Sequence, residues 1–480
     1  MSSFNTFNAY ESMCYMKYYI YILGIFLLIN CSIPKQADYA ILNVQVIDVE
    51  SGEISSNNFI AIKDDRIVMV DYMDNHKNVV VKKSFDGGGA FVIPGLWDNH
   101  VHFRGGEDLI NQNKNMLPLF LRYGVTSVRD GGGDITSSIQ TWNQQIQSGE
   151  LNGPKIYTSG PKLDGSRPAW LGSLQVESSG DVISALDSLQ SINADFVKIY
   201  DGNLDAEMYY QIIQEAEKRG LKITGHMPLT AELMDAVDYG LDGIEHLYYA
   251  LTETAFKADS IRKAYSGYSM ITPLMDHYDD ELAFTIYTNL AEKEFYVTPT
   301  LHIGKTLGEL NITDHSEDSL LPFIATEILE TYQRRILSAA RGGERYTQQR
   351  TRWGLAFSAM VKPMNDAGIH ILAGSDCGPF NSYVYPGESI HKELELLVNS
   401  GLSPLEALQT SVINGPKFFN LSDDYGRIEA GKVADLLFLS QNPLESISNT
   451  QTISWVIQNG KMYSLSDLQN MMDSVKSNIN

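Results

Sequence analysis

Six side chains of metal-binding type each stand at or just after the end of an apolar stretch. Four are histidines, one is a lysine and one is an aspartate. In chain order they are His100, His102, Lys198, His226, His246 and Asp376. Imidazole-rich sites suit zinc, and a bound divalent ion can activate water for hydrolysis. The set predicts metal-assisted hydrolysis if the fold brings the six side chains to one place.

Two histidines at alternate positions, His100 and His102, end the stretch GLWDNHVHF. Side chains alternate along a strand, so both imidazoles point to the same side. At the carboxyl end of a barrel strand that side is the mouth of the barrel, where one metal ion could bind. An isolated His-x-His is more often a pair of exposed or hydrogen-bonded histidines, but the ligand-type residues at later strand ends favour metal binding.

His226 and His246 end the apolar parts of KITGHM and GIEHLYY. About one helix and its loops separate them, which suits the ends of consecutive barrel strands. Either one alone is more often a structural histidine. As a pair at one mouth they suit a second metal ion.

Lys198 closes an apolar run in DFVKIYDG, and Asp376 follows ILAGS. A lysine among inward-facing strand residues needs a partner, which is either a nearby carboxylate or, for a carbamylated lysine, two metal ions. A carboxylate at a strand end can bind metal and accept a proton from metal-bound water, whose pKa falls to around 7 on zinc. It can also cap the following turn, and the two roles are compatible.

Strand-like apolar runs alternate with helical patterns in the middle of the chain, as in consecutive βα units. In order the runs are FVIPGLWDNHVH, VTSVRD, KIYTSGP, DFVKIY, KITGHM, GIEHLY, YVTPTL and IHILAGSD. Eight parallel strands close a barrel, so we predict a (β/α)8 TIM-type barrel over residues 93–421. A mostly helical insertion before the last strand, residues 316–368, is expected to form the substrate pocket or a lid.

Short strands with glycine turns occur near both ends of the chain, in segments 38–92 and 422–465. Two such segments can complete one sheet when the domain between them brings its termini together. We therefore expect a small composite β-sandwich domain, and an α/β fold class for the whole chain.

The chain of 480 residues has 36 basic and 59 acidic residues, a formal net charge of −23. This charge repels nucleic-acid phosphates, so we expect no nucleic-acid partner. The cysteines are Cys14, Cys31 and Cys377, which are too few for a disulfide framework and lack the paired spacing of a zinc ribbon.

An apolar run, YYIYILGIFLLIN, follows Lys17 and precedes Cys31, and it is short for a membrane span. Segment 16–31 resembles a bacterial lipoprotein signal peptide, which implies that residues 1–30 are removed and that Cys31 is lipidated. Residues 1–15 are then an upstream start that is not used. The resemblance implies an exported protein tethered to a membrane, on its periplasmic or cell-surface face. An uncleaved N-terminal anchor is the alternative.

The strand-end motifs taken together resemble those of the amidohydrolase superfamily, in the branch of imidazolonepropionase-like proteins and metal-dependent Xaa-Pro or Xaa-Arg dipeptidases. The resemblance extends from Asp38 to Tyr463 and includes GRIEAGKVADLLFLSQNPL. It implies two divalent metal ions, with zinc expected. The ligands implied are His100, His102 and Asp376 for one ion, His226 and His246 for the other, and a carboxylated Lys198 as the bridge.

The same resemblance implies cleavage of a C–N bond in a small amide or peptide, a dipeptide being one candidate. A hydroxide shared by the two ions attacks the carbonyl carbon, and Asp376 passes the proton to the departing nitrogen. Lys198 favours this two-metal branch over a mononuclear, imidazolonepropionase-like cyclic amidohydrolase, which is the first alternative. Deaminases of the superfamily tend to carry a glutamate three residues after the strand-five histidine, where this chain has Leu229. A lipoprotein that binds a ligand without catalysis is the second alternative.

Substrate contacts are expected from the loops after the third and seventh strands. After the third strand the chain reads GPKLDGSRPAWLGS, where many dipeptidase-like relatives have a glycine-rich segment that ends in histidine. Arg167 and Trp170 in this segment either contact substrate or pack the loop, and His302 either reaches the pocket or packs beside it. Cys377 is not expected to act as a ligand or nucleophile, because adjacent strand residues face opposite ways. The expected partner is a small amide or peptide substrate, and a homo-oligomer is left open.

Overall fold

The computed structural model describes residues 34–479, so the predicted signal segment 1–30 and the predicted lipidation site Cys31 lie outside the described residues. The strands of the described part are β1 (Lys35–Ile47), β2 (Ile54–Lys63), β3 (Arg66–Tyr72), β4 (Val79–Asp86), β5 (Phe91–Pro94), β6 (Leu96–Val101), β7 (Val125–Asp130), β8 (Lys155–Thr158), β9 (Leu163–Asp164), β10 (Leu174–Gln175), β11 (Val197–Ile199), β12 (Ile223–Gly225), β13 (Gly243–Glu245), β14 (Tyr296–Thr298), β15 (His370–Ile371), β16 (Leu436–Leu439), β17 (Ile453–Gln458) and β18 (Lys461–Ser464).

Helices occupy much of the chain between the strands. The α-helices of the described part are α1 (Ile110–Arg122), α2 (Thr136–Ser148), α3 (Ser179–Ser191), α4 (Ala206–Lys218), α5 (Leu233–Asp238), α6 (Leu251–Thr254), α7 (Ala258–Ala264), α8 (Ile271–Met275), α9 (Asp280–Glu292), α10 (Leu301–Glu309), α11 (Thr326–Ala367), α12 (Glu388–Asn399), α13 (Pro404–Val412), α14 (Asn414–Phe418) and α15 (Leu465–Ser477).

Helix α4 illustrates how the local sequence builds the outer layer of the barrel. Asp205 caps its amino end by accepting a hydrogen bond from Met208 N at 2.8 Å. Tyr209, Ile212 and Ala216 recur at helical spacing and are buried in the same apolar cluster as the barrel strands. Among residues 34–479, no helix combines the length and the apolar character that crossing a membrane requires.

Strands from both ends of the chain form one eight-stranded sheet, in the order β18-β17-β16-β5-β1-β2-β3 with β4 beside β1. Strand β5 joins the two ends, because it pairs parallel with β1 and antiparallel with β16. Both faces of β2 are buried: Phe59 and Ala61 belong to one apolar cluster, and Ile60 and Ile62 belong to another. The composite β domain is hydrogen-bonded as one continuous sheet with an apolar layer on each face.

The predicted barrel strands form β6, β7, β8 and β11 to β15, paired in parallel. One seam is closed where His102 N donates to Cys377 O at 2.9 Å, and the other where Asp195 N donates to Thr158 O at 2.9 Å. The two short strands β9 and β10 lie in the segment after the third barrel strand. The predicted α/β fold, a (β/α)8 barrel with a composite β domain, is confirmed.

The first predicted barrel strand is divided between the two domains. Strand β5 belongs to the end sheet and β6 to the barrel. Gly95 lies at the change: its N–H donates to Asp435 O at 2.9 Å, and a Cβ there would come within 2.3 Å of Thr126 Oγ1. Because the backbone must pass this close to Thr126, the chain changes sheets at a glycine.

The insertion before the last barrel strand is dominated by α11, which has 42 residues. The helix is kinked at Gly343, whose φ of 55° and ψ of −142° are not helical. Since a residue with a side chain rarely adopts such angles, glycine permits the kink. The kink divides α11 into two arms.

Candidate metal centre

His100, His102 and Asp376 form a buried cluster at the carboxyl ends of the first and last barrel strands. One ligand atom from each lies within 4.8 Å of the others. Asp376 Oδ1 is 3.5 Å from His100 Nε2 and 3.2 Å from His102 Nε2. The ring centroids of the two histidines are 5.1 Å apart. Two imidazoles and a carboxylate so arranged could bind one metal ion.

His226 and His246 lie beside this cluster, just after β12 and β13. Their ring centroids are 5.0 Å apart, and the ring of His246 is 5.4 Å from that of His100. His246 Nε2 lies 3.9 Å from Asp376 Oδ2. The carboxylate of Asp376 therefore stands between the two groups, with Oδ1 toward one and Oδ2 toward the other.

Each of the four imidazoles is held at Nδ1 by an oxygen of the protein. The contacts are His100 to Glu245 Oε2 (2.6 Å), His102 to Gly132 O (3.4 Å), His226 to Asp201 Oδ1 (3.1 Å) and His246 to Thr300 Oγ1 (2.5 Å). When Nδ1 donates to these oxygens, Nε2 carries the lone pair that a metal ion needs. His100 Nε2 is buried and has no hydrogen-bond partner among the described residues.

Burial keeps these imidazoles neutral. It is the largest cause that lowers the pKa of His100, and it holds the pKa of the other three histidines well below the usual value. After burial, the positive charge of Lys198 lowers the pKa of His100 and His226. Neutral imidazole is the form that binds metal, so the histidines are prepared as ligands.

Lys198 lies on β11 with its side chain 1% exposed, and its charge acts on both histidine groups. Its Nζ makes no hydrogen bond to any described residue and lies 3.7 Å from Glu245 Oε1. Burial is the largest cause that lowers the pKa of Lys198, to about 8. A sizeable fraction of the amine is therefore neutral near pH 8, which is the form that reacts with carbon dioxide.

Glu245 orients the imidazole of His100 through its contact with Nδ1. Its carboxylate accepts hydrogen bonds from Arg129 Nη2 at 2.8 and 3.0 Å and from Thr224 Oγ1 at 3.0 Å, besides the contact with His100. Burial raises the pKa of Glu245, but the charges of Arg129 and Lys198 outweigh it and hold the pKa well below the usual value. The carboxylate is therefore ionised and fixes Nδ1 of His100 as a donor.

Asn381 positions Asp376 from the loop that follows β15. Its Nδ2 donates to the Asp376 carbonyl at 2.6 Å and to Oδ1 at 2.8 Å. Burial raises the pKa of Asp376, but the surrounding imidazoles together with the guanidinium charges of Arg104 and Arg335 outweigh it, so the pKa is lowered. The carboxylate is ionised and can bind a cation or accept a proton.

Three residues of the site have left-handed backbones: His246 with φ 67°, Thr300 with φ 51° and Asp376 with φ 58°. Such angles are uncommon for non-glycine residues and cost on the order of 1 kcal/mol each. On a regular strand Glu245 and His246 would face opposite sides. The left-handed turn at His246 allows both side chains to reach the site.

A cavity of about 310 Å³ opens from Asp376, His226 and His246 toward α10 and α11. Its outer wall combines apolar side chains with two arginines. These residues are Leu301, Leu307, Arg335, Arg350, Trp353 and Phe357. The helical insertion thus lines the pocket, as expected from the sequence.

The three predicted substrate-contact residues lie apart from this cavity. Arg167 is exposed, and the partly buried Trp170 ring packs 3.8 Å from the guanidinium carbon of buried Arg104. His302 lines a neighbouring cavity of about 440 Å³ between α10 and α12. Cys377 is buried and free. The structure brings the six predicted ligands together but places these loop residues outside the lining of the first cavity.

Several residues that orient the site were not singled out from the sequence. Glu245 and Arg129 are charged residues inside buried strands, which is a usable signal because such groups need partners. Asn381 and Thr300 carry no comparable signal. Their contacts depend on loop conformations that spacing does not predict.

The comparison with known families agrees with this geometry. The model of the Amidohydrolase family matches residues 91–463. The chain belongs to the Amidohydrolase family. The match includes all six predicted ligands and the strands on which they are carried.

Among relatives of this amidohydrolase, ochratoxinase from Aspergillus niger is 22% identical over 438 residues, which cover 78% of this chain and 75% of that protein. The ochratoxinase structure has a TM-score of 0.64 at 18% identity, covering 90% of this chain and 96% of that chain. Bottromycin amidohydrolase has a TM-score of 0.72 at 19% identity, covering 92% and 90% of the two chains. A Xaa-Pro dipeptidase with bound methionine has a TM-score of 0.62 at 20% identity, covering 89% and 99%. At these identities the structural similarities show the fold.

Family members use divalent metals, and the residues of this amidohydrolase fit such ions. His100 Nε2 and Lys198 Nζ are buried polar atoms without hydrogen-bond partners among residues 34–479. A buried polar atom left without a hydrogen bond is costly, and an ion bound at His100 Nε2 would satisfy that atom. Lys198 Nζ has the carboxylate of Glu245 at 3.7 Å. The His100, His102 and Asp376 group could hold a metal ion.

Proposed function

We propose that the protein is a binuclear metal-dependent hydrolase that cleaves a C–N bond in a small amide or peptide, a dipeptide being one candidate. The observation that carries the proposal is the buried Nζ of Lys198, which makes no hydrogen bond to a described residue and whose charge acts on both groups of imidazoles. A carbamylated lysine at this position can bridge two ions, whereas with a single ion the lysine would serve only as the partner of Glu245, 3.7 Å away.

In this proposal His100, His102 and Asp376 would hold one ion, and His226 and His246 would hold the other. The neutral amine of Lys198 attacks the carbon of carbon dioxide, an N–C bond forms, and one proton leaves to solvent. The resulting carbamate would offer two oxygens as further ligands for divalent ions. Zinc is the expected ion because imidazole-rich ligand sets suit it.

Divalent ions bound there would polarise the substrate carbonyl and lower the pKa of water. The residues of the chain supply positioning and proton transfer. Asp376 Oδ1 is fixed by Asn381, so Oδ2 is the oxygen free to accept a proton from the attacking water. Asp376 then donates that proton to the leaving nitrogen, which departs as a neutral amine.

A mononuclear hydrolase of the imidazolonepropionase type is the second candidate. It is favoured by one observation: among the described residues, the ligand atoms of His100, His102 and Asp376 alone lie close enough together to count as a metal-binding group. Counting metal ions per chain by mass spectrometry discriminates between the two, with two ions expected and one ion supporting the second candidate.

A hydrolysis screen of the zinc-loaded protein tests the function. Dipeptides, N-acyl amino acids and lactams would be incubated with the protein, and released amines would be quantified. We expect turnover of dipeptides or N-acyl amino acids that is lost on chelation. Turnover of lactams alone would support the second candidate. Two bound ions without turnover of any member would instead support a ligand-binding protein.

A further inference from the structure

The cavity beside the metal centre has more positive than negative protein charge in its outer part. Arg335 and Arg350, one from each arm of α11, both line it. The single acidic side chain that lines it is Asp376, which is already assigned to a metal ion. A cavity with two guanidinium groups and no acid left to pair with them is suited to an anionic ligand.

Arg335 is fixed close to the reacting groups. Its Nε donates to Phe380 O at 3.0 Å and its Nη2 to Asn381 Oδ1 at 2.9 Å. Asn381 also donates to Asp376 Oδ1 at 2.8 Å, so a single amide side chain joins Arg335 to Asp376. Nη1 of Arg335 makes no hydrogen bond to a described residue, which leaves one end of the guanidinium for a ligand.

Arg350 supplies a second positive charge from the other arm. Its Nη1 donates to Tyr248 Oη at 3.2 Å, and its guanidinium carbon lies 5.3 Å from the Trp353 ring centroid. It forms no ion pair with a carboxylate of the described residues. Trp353 and Phe357 continue the same wall as a broad apolar surface.

We propose that the substrate carries a carboxylate on the carbon attached to the scissile nitrogen, and that this carboxylate binds Arg335. Arg350 adds attraction, and a bulky apolar side chain of the substrate packs on Trp353 and Phe357. This inference rests on the proposed function and narrows its substrate to N-acyl amino acids and dipeptides with a free carboxyl end. We assign this specificity to Arg335, because only the side chain of Asn381 separates it from Asp376.

Binding of two matched ligands tests the proposal independently of turnover. The probes are 2-benzyl-4-oxo-4-phenylbutanoate, a ketomethylene analogue of N-benzoylphenylalanine without a scissile bond, and its primary amide. Titration calorimetry on the zinc-loaded protein gives both dissociation constants. We expect the acid to bind about 10- to 100-fold more tightly than the amide, as for a hydrogen bond to a charged group. Equal binding by the unmodified protein overturns the proposal whatever the variants do.

Variants then test which residue causes the preference for the acid over the amide. Arg335→Gln is expected to reduce the acid-to-amide ratio to within about threefold of unity while amide binding, which reports an intact cavity, is unchanged. Arg345→Gln removes the same charge from an exposed position of α11 and should leave the ratio as it was. A ratio that survives Arg335→Gln overturns the assignment of Arg335.

The outcome is separable from that of the proposed function. If the acid is preferred through Arg335 but N-benzoylphenylalanine is not hydrolysed, the ligand class stands and the hydrolase proposal fails. If N-benzoylphenylalanine and its amide are hydrolysed with equal kcat/KM, the hydrolase stands and the carboxylate proposal fails.

Discussion

At the scale of single residues, the site combines ordinary ligand types with unusual backbone angles. Nothing in the side chains of His246 and Asp376 requires a left-handed backbone, yet both have it, and Thr300 has it too. The strain is offset by the surrounding barrel, whose packing over-determines these positions. The left-handed angle has a structural effect: Glu245 and His246, which a regular strand would point to opposite sides, both face the site.

Asp376→Asn tests the proton transfer. Asparagine keeps the shape of the side chain and an oxygen for Asn381, but it puts an amide nitrogen, which cannot accept a proton, in the place of Oδ2. We expect kcat to fall by about 10²- to 10⁴-fold with metal content retained, measured by steady-state kinetics and metal analysis. Asp314→Asn, at an exposed acid away from the site, is the control. An unchanged kcat in Asp376→Asn would rule out the role.

Lys198→Ala tests the bridge. Without the amine no carbamate can form, so bound metal should fall from near two ions per chain toward one. Short carboxylates such as formate or propionate can occupy the vacated space, and we expect them to restore the second ion and part of the activity. Lys305→Ala, at a lysine paired with Glu309 outside the cavity, is the control. Two ions in Lys198→Ala without added carboxylate would refute bridging.

The sequence predicted the ligand types and the strands that carry them, because alternation and strand ends are local properties. It did not predict Asn381 as the partner of Asp376, nor Arg335 as a neighbour. Both depend on the loop after β15 and on where the arms of α11 lie. Those are long-range arrangements without a periodic signature.

At the scale of elements, the kink in α11 decides what the cavity contains. Arg335 and Arg350 would be about 22 Å apart along a straight helix, too far to line one cavity of about 310 Å³. The helix does not run straight past Gly343, and both arginines line the one cavity. Helical character of the segment could be predicted from composition, but the direction of the second arm could not.

Two glycine-to-alanine substitutions on α11 should change the free energy of unfolding in opposite directions. Gly343→Ala should lower the free energy of unfolding by about 1–3 kcal/mol, because alanine is strained at φ 55° although a Cβ would meet nothing within 4 Å. Gly354→Ala is the matched control on the same helix, where a Cβ also meets nothing within 4 Å and the backbone is helical. It should raise stability by about 0.5–1 kcal/mol. Urea unfolding measures both, and equal effects would contradict the explanation.

At the scale of the whole molecule, one buried histidine connects distant segments. His391 on α12 is hydrogen-bonded through Nδ1 to Thr450 Oγ1 at 2.8 Å, and its Nε2 donates to Tyr123 O at 2.9 Å. The three residues come from well-separated parts of the chain. Protonating His391 would place a positive charge in this buried junction. Thr450 Oγ1 could still accept from a protonated Nδ1, because its hydroxyl donates to Ile447 O at 2.8 Å, so the cost lies in burying the charge.

Stability should therefore fall on mild acidification. Burial lowers the pKa of His391 from 6.5 to about 4, so the unfolded chain binds the proton more readily. The contribution is fully present above pH 6.5 and is lost as pH falls toward 4, roughly 3 kcal/mol in all. Other buried histidines also add to the pH dependence, so the contribution is the difference between unmodified protein and His391→Asn in urea unfolding of the metal-free proteins at pH 7.5, 5.5 and 4.5. His391→Asn should be less stable at pH 7.5 but should lose less on acidification, and an identical pH slope would contradict this account.

Export and membrane attachment stay predictions, since segment 1–30 and Cys31 lie outside the described residues. We propose lipidation at Cys31. Cys31→Ala should release the protein from membranes into the soluble extracellular or periplasmic fraction, as measured by fractionation and immunoblotting. Continued membrane association would indicate an uncleaved anchor.

The composite sheet also bears on how the protein is made. Strand β5 pairs with β16, but nearly the whole barrel is synthesised between them. At about 5–20 residues per second, the edge of β5 waits roughly 20–70 s on the ribosome for its partner. During that time an unpaired strand edge is open to wrong pairing with other chains. The last strands of the polypeptide thus complete the sheet. A nascent chain that stops before Leu436 would leave the edge of β5 uncovered.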